Sequence, residues 1–121
     1  MHAFTRLAAA AAFVALGPIA PAFAHAHLKT SFPAADSVQT TPPTEIDITF
    51  TEDVNIKFTG ATLTGADNKA VTLGDGMLMG GNAMFMAPIT GTLAPGKYTV
   101  DWHALSTDGH KTNGSFSFTV Q

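Results

Sequence analysis

Apolar and polar residues alternate along most of the chain after residue 24. Ile46, Ile48 and Phe50 alternate with Glu45, Asp47 and Thr49, so a strand there has one apolar and one wet face. Val54, Ile56 and Phe58 predict a second such run. The parity breaks at Thr59-Gly60, which predicts a bulge ahead of Ala61 and Leu63. Val71 and Leu73 predict a short strand after the turn-like Gly65-Ala66-Asp67-Asn68. Tyr98, Val100, Trp102 and Ala104 form one long alternating series, and Phe116, Phe118 and Val120 form another. Turn residues punctuate these runs at Thr41-Pro42-Pro43, Ala94-Pro95-Gly96 and Asp108-Gly109. No segment after residue 24 shows helical periodicity with caps. The pattern predicts an all-β, Ig-like sandwich of about seven short strands, with Trp102 central to its core.

The beginning of the chain follows a different rule. Arg6 precedes a continuous apolar run from Leu7 to Gly17, Pro18 and Pro21 follow, and Ala22-Phe23-Ala24 has the form of a cleavage site. These features read as a secretory signal peptide over residues 1–24, too short in its apolar part to span a bilayer. One domain, residues 25–121, remains, and export places it in the periplasm. A second Ala-x-Ala, Ala24-His25-Ala26, offers a cut before His27; the cut after Ala24 is the one we expect.

Composition narrows the functions available. Six basic residues stand against nine acidic ones, and Arg6 leaves with the leader. An acidic domain is a poor partner for nucleic acid or an anionic membrane surface. The chain has no cysteine. That removes a thiol nucleophile, a cysteine zinc site, a blue-copper thiolate and a stabilising disulfide.

The remaining candidate chemistry is nitrogen, oxygen and thioether. As a first residue, His25 presents both an α-amine and ring Nδ1, which close a six-membered chelate on one ion. The amine has an ordinary pKa of about 7.7, so a metal displaces its proton readily near neutral pH. Asp108-Gly109-His110 sets a carboxylate and an imidazole two residues apart across a flexible glycine. Together they make three nitrogens and one oxygen, a tetragonal set that suits Cu(II). Taken singly, an Asp-Gly turn and a histidine near a cleavage point are common. His25-Ala26-His27 also permits a rival square plane using deprotonated backbone amides. His103, on the polar side of the Trp102 run, reads as a solvated residue or a neighbour of the site. Met77, Met79, Met84 and Met86 fall within a glycine-rich stretch. Thioethers select Cu(I), though Met84 and Met86 also suit an ordinary core.

Three stretches resemble the CopC family of periplasmic copper-resistance proteins. The first is His25-Ala26-His27-Leu28 with Ser31-Phe32-Pro33-Ala34 and Asp36-Ser37. The second is Ile48-Thr49-Phe50-Thr51-Glu52. The third runs from Tyr98-Thr99-Val100-Asp101-Trp102 through Ser106-Thr107-Asp108-Gly109-His110 to Gly114-Ser115-Phe116-Ser117-Phe118-Thr119-Val120. The resemblance implies a cupredoxin-like Greek-key sandwich that binds one Cu(II) through His25, Asp108 and His110, with Glu52 as an added carboxylate. It implies a monomeric, non-enzymatic protein of copper homeostasis that sequesters or delivers copper, with an inner-membrane transporter of the CopD type as partner. The methionines lie later in the chain than in family members with a Cu(I) site, and histidine stands at 103 where arginine is usual. Two competing readings are a histidine-brace copper oxidase resembling the polysaccharide monooxygenases and an Ig-like interaction module that binds no metal.

Overall fold

The structure, a computed structural model, describes residues 25–121 together with Ala12; the leader read at residues 1–24 otherwise lies outside the described residues. Two antiparallel-rich sheets face each other, the sandwich class expected from the alternation. The first sheet has the order β1-β3-β7-β6 and contains β1 (Leu28–Phe32), β3 (Glu45–Phe50), β6 (Met77–Met79) and β7 (Met84–Pro88). The second has the order β2-β9-β8-β4-β5 and contains β2 (Val38–Gln39), β4 (Gly60–Thr64), β5 (Ala70–Val71), β8 (Gly96–Leu105) and β9 (Lys111–Val120). Nine strands are present among the described residues where about seven were expected. The difference lies in β2 and β6, two and three residues long, too short for alternation to reveal, whereas β5 is the short strand expected at Val71.

The core is where the period-two pattern sends it. Ile46, Ile48, Phe50, Phe85 and Ala87 enter from the first sheet; Leu63, Val100, Trp102, Phe116, Phe118 and Val120 enter from the second. Phe118 stacks on Tyr98 with ring centroids 5.6 Å apart, and the Tyr98 hydroxyl donates to the Ala94 carbonyl at 2.6 Å. Trp102 meets Phe50 edge to face at 5.3 Å. Its indole lies over Gly114, where a Cβ would approach Cζ2 to 2.7 Å. Each half of the sandwich thus contributes one wall of a dry interior, the main stabilising term available to a chain without disulfides.

One expected strand is absent. Val54 makes an isolated bridge to Ser106, and Ile56–Phe58 forms a 3₁₀ turn instead of continuing as β structure. The Asn55 side chain accepts from the Lys57 amide at 3.0 Å, which caps the turn locally and diverts the backbone from a ladder. Ile56 and Phe58 end exposed despite their alternation. The expected bulge at Thr59-Gly60 is the exit from this turn into β4.

On the outer face of β3, Asp47 sits between Phe32 of β1 and Met86 of β7. Its Oδ1 is buried without a hydrogen-bond partner among the described residues. Burial, then a hydrogen bond that protonated Asp47 donates to the Glu45 carboxylate, and the Glu45 charge raise the Asp47 pKa to about 6. The folded state therefore holds this proton up to about pH 6, whereas the unfolded chain releases it near 3.8. Stability from this group is complete below the lower value and declines as pH rises through that window. Asp47→Asn is expected to remove the decline. Wild type and variant should unfold alike in urea near pH 3.5, and the variant should be more stable by about 1–2 kcal/mol at pH 7 after allowance for solvent screening. Parallel stability profiles across this range would contradict the assignment.

Candidate metal centre

The end of the sandwich where β1 begins and β8 turns into β9 gathers the three residues singled out by spacing. The rings of His25 and His110 stand edge to face with centroids 4.6 Å apart. Asp108 Oδ1 lies 3.1 Å from His110 Nδ1. The side chains of His110 and Asp108 are 47% and 41% exposed, so an incoming ion reaches them without any opening of the fold.

Each part is held by the backbone around it. Residues 106–110 form the turn between β8 and β9. Gly109 has φ +92°, a left-handed conformation that favours glycine, and it folds Asp108 back toward His110. Ser106 sits beneath this turn and is buried. Its hydroxyl donates to Asp108 Oδ1 and accepts from the His110 amide at 3.2 Å, while its own amide donates to the His110 carbonyl at 2.9 Å. This hydroxyl, and after it the His110 ring, hold the Asp108 carboxyl below the ordinary carboxylate range. The carboxylate is therefore ionised and able to act as a ligand.

The opposite half of the site hangs on two threonines. Thr51 Oγ1 donates to the His25 carbonyl at 3.1 Å and accepts from the His27 amide at 3.0 Å. The Thr51 amide donates to the His27 carbonyl at 2.8 Å. Thr112 Oγ1 donates to the Ala26 carbonyl at 2.6 Å, and Ala26 is wholly buried. Thr51 directly follows β3 and Thr112 belongs to β9, so the segment carrying His25 is pinned beside both sheets. Further bonds from Asn55 to the Leu105 carbonyl (2.8 Å) and from Thr107 to the Asp53 carbonyl (3.1 Å) tie the loop after β3 to the β8–β9 turn.

Among the described residues no three His, Asp or Glu side chains stand as a formed ligand group. In the 121-residue chain the nitrogen of His25 is a peptide nitrogen, and the His110 ring is turned toward Asp108. The donors nevertheless fit Cu(II): two imidazoles, one ionised carboxylate and, once the chain begins at His25, a primary amine. The rival arrangement through His25-Ala26-His27 fits less well, because the His27 amide it would deprotonate is already donating to Thr51. The His27 ring stands 5.9 Å from that of His25 and is exposed.

The other candidates are Glu52 and His103. Glu52 is exposed, with no hydrogen bond or ion pair among the described residues. His103 lies on the outer face of β8, its ring packed over Gly60, where it lines a groove with Lys57, Phe58 and Lys111. The four methionines gave a clearer surprise, since Met84 and Met86 are not core. Phe85 and Ala87 take the inward positions of β7, and the methionines point to the outer face.

Sequence reasoning missed the roles of Ser106, Thr51 and Thr112, which are hydroxyls that bond to backbone or to a ligand rather than ligands themselves. Ser106 two residues ahead of Asp108 was the one local signal. Ser106→Ala is expected to weaken Cu(II) binding by about 10- to 100-fold, the usual effect of losing a group that orients a ligand, and to lower stability by about 1 kcal/mol. A chelator competition paired with urea unfolding separates the two effects; unchanged affinity would show that Ser106 serves the turn alone.

Comparison with known proteins identifies relatives over most of the chain. Residues 28–121 match the profile of the CopC domain. The chain is 41% identical over 100 residues to Protein YobA of Escherichia coli (strain K12), covering 82% of this chain and 81% of that protein. It is 35% identical over 113 residues to the copper resistance protein C of Escherichia coli, covering 88% and 89%. Among solved structures, PcoC from Escherichia coli, described as a methionine-rich copper resistance protein, superposes with a TM-score of 0.71 at 34% identity, covering 81% of this chain and all of that one.

Proposed function

Because the chain belongs to the CopC family, a copper-binding family of copper resistance, we propose that it acts after export as a carrier of one Cu(II) ion held by His25, Asp108 and His110. The observation that carries this reading is the approach of the His25 and His110 rings to 4.6 Å with the Asp108 carboxylate against His110. Removal of residues 1–24 frees the His25 amine beside these groups and supplies the third nitrogen. Exposure of Asp108 and His110 suits a cargo ion that must leave as well as enter. The periplasm is then the working compartment, a membrane copper transporter of the CopD type the natural recipient, and a monomer sufficient for the task. No catalytic step is needed. A further donor from Asp108 would fill a coordination position that an oxygen-activating copper would need open, which weighs against an oxidase.

The test joins two measurements on the exported protein. Mass spectrometry should give a chain that begins at His25. Titration should then reach saturation at one Cu(II), with an axial spin-resonance spectrum carrying nitrogen couplings. A chain that begins at His27, or no tight equivalent of copper, would overturn the proposal.

A further inference from the structure

Resting on the carrier function above, we propose that the groove beside the metal centre docks an acidic segment of the partner protein that exchanges Cu(II) with this one. Carboxylates of that segment meet Lys57 and Lys111, and an apolar side chain meets Phe58. The groove encloses about 330 Å³ on the outer face of the second sheet. Lys57 and Phe58 wall it on the β4 side, Lys111 and Asn113 of β9 wall it on the other, and His103 and Leu105 of β8 lie between. Its position is what ties it to the cargo. Lys111 directly follows His110, and Thr112, which also lines the groove, holds the Ala26 carbonyl at 2.6 Å. A segment docked there lies against the start of β9, which follows one copper ligand and pins the segment carrying another.

Charge selects the occupant. Once Arg6 is gone, the domain has only lysines as cations and is acidic overall. Two of those lysines nevertheless meet in this groove with His103 beside them, and no Asp or Glu lines it. Neither lysine has an ion-pair partner among the described residues. A cationic island on an anionic domain steers an acidic partner to one place while the remaining surface repels it. The apolar wall is preset. The Asn55 amide donates to the Leu105 carbonyl at 2.8 Å, and the Leu105 amide donates to the Thr59 hydroxyl at 3.3 Å. The 3₁₀ turn is thus clamped at both ends onto the end of β8, and it holds Phe58 exposed at the groove. A rigid aromatic side chain beside polar groups is a usual anchor of protein interfaces. A small free anion would meet only exposed lysines and leave Phe58 unused. A nucleic acid or an anionic membrane would meet the net negative charge of the domain. A short acidic segment with one apolar side chain uses every wall.

The capped peptide Glu-Asp-Phe-Glu-Glu should be titrated into the metal-free mature protein while its nuclear resonances are followed. Shifts should centre on Lys57, Phe58, His103, Lys111 and Asn113 and should saturate. Lys57→Glu combined with Lys111→Gln should weaken the peptide by about tenfold and leave the Cu(II) endpoint unchanged; both side chains are exposed, so the fold should persist. Lys97→Glu, a charge reversal at the far end of β8, should leave the peptide bound. Joined to an amino-terminal Gly-Gly-His chelator, the peptide should draw Cu(II) from the loaded protein at least about ten times faster than Gly-Gly-His alone, the lower end of electrostatic steering, and the double variant should lose that advantage. Equal binding by the double variant, equal binding of a peptide with lysines in place of its acids, the same shifts from acetate at equal carboxylate concentration, or tighter binding to vesicles of anionic lipid would each overturn the proposal without touching the Cu(II) site. A protein that binds the peptide but no Cu(II) would instead remove the carrier function and the exchange built on it, with the map of shifts intact.

Discussion

A mature chain bearing one extra residue ahead of His25 is expected to bind Cu(II) more than about a hundredfold more weakly than the chain that begins at His25. The addition leaves every side chain in place. It converts the terminal amine into a peptide nitrogen, which must lose a proton of far higher pKa before it can coordinate. The amine it replaces has an ordinary pKa of about 7.7, and metal binding to nitrogen requires the deprotonated donor. Loss of an orienting partner alone lowers affinity by about 10- to 100-fold, so loss of a direct donor together with its chelate ring should exceed the upper figure. The fold should be unaffected, because Thr51 and Thr112 hold the segment through the carbonyls of His25 and Ala26 and the amide of His27, none of which the extension changes. Competition against a Cu(II) chelator reads the affinity, and circular dichroism checks the fold. Equal affinity in the two chains would show that the terminal amine is not a ligand.

Phe118→Ala is expected to lower stability by about 3–5 kcal/mol, the range for removing a buried aromatic side chain. Phe118 is 1% exposed and stacks on Tyr98; its neighbours are held by two long, fully paired strands and have little freedom to close the gap. Domains of this size have roughly 5–15 kcal/mol in total, and here no disulfide restrains the unfolded chain. The variant should unfold at a much lower urea concentration. Phe58→Ala supplies the contrast: Phe58 is 56% exposed at the end of the 3₁₀ turn, and the change should cost about 1 kcal/mol or less. A loss below about 1 kcal/mol at Phe118 would contradict the placement of the core.

The long strands were legible because a sheet with one dry face writes itself as alternation. Ile46, Ile48 and Phe50, then Val100 and Trp102, then Phe116, Phe118 and Val120 all face inward as their spacing implies. Residues 54–58 carry the same alternation and form no strand, because the Asn55 side chain offers the backbone a local alternative that hydropathy does not record. Hydropathy misled at Met84 and Met86 for a related reason. Methionine is apolar enough to be read as core, and only the inward course of Phe85 and Ala87 shows which face remained for it. At the metal centre, Asp108 and His110 were legible from their spacing. Their meeting with His25 depends on how β1 is pinned at the end of β3 and against β9. The hydroxyls that do the pinning join residues 26 and 86 positions apart, and separations of that length leave no local signature.

The strands at the margins of the two sheets bear on how the protein survives at high concentration. Exposed strand margins offer unpaired amides and carbonyls to any passing chain, which makes them starting points for aggregation. Here β2 and β5 bound one sheet with two residues each, and β6 bounds the other with three. The remaining margin, β1, is five residues long, but its pairing is irregular between Leu28 and Thr30, and Lys29 stands at the break. Along β1, β5 and β6 a foreign strand finds little to add to, but β2 pairs only with Thr119 and Val120, which leaves the earlier part of the ten-residue β9 without a strand partner on that side. The brevity of β2 thus makes the open side of β9 the place where a disulfide-free sandwich is most exposed to pairing with a foreign strand.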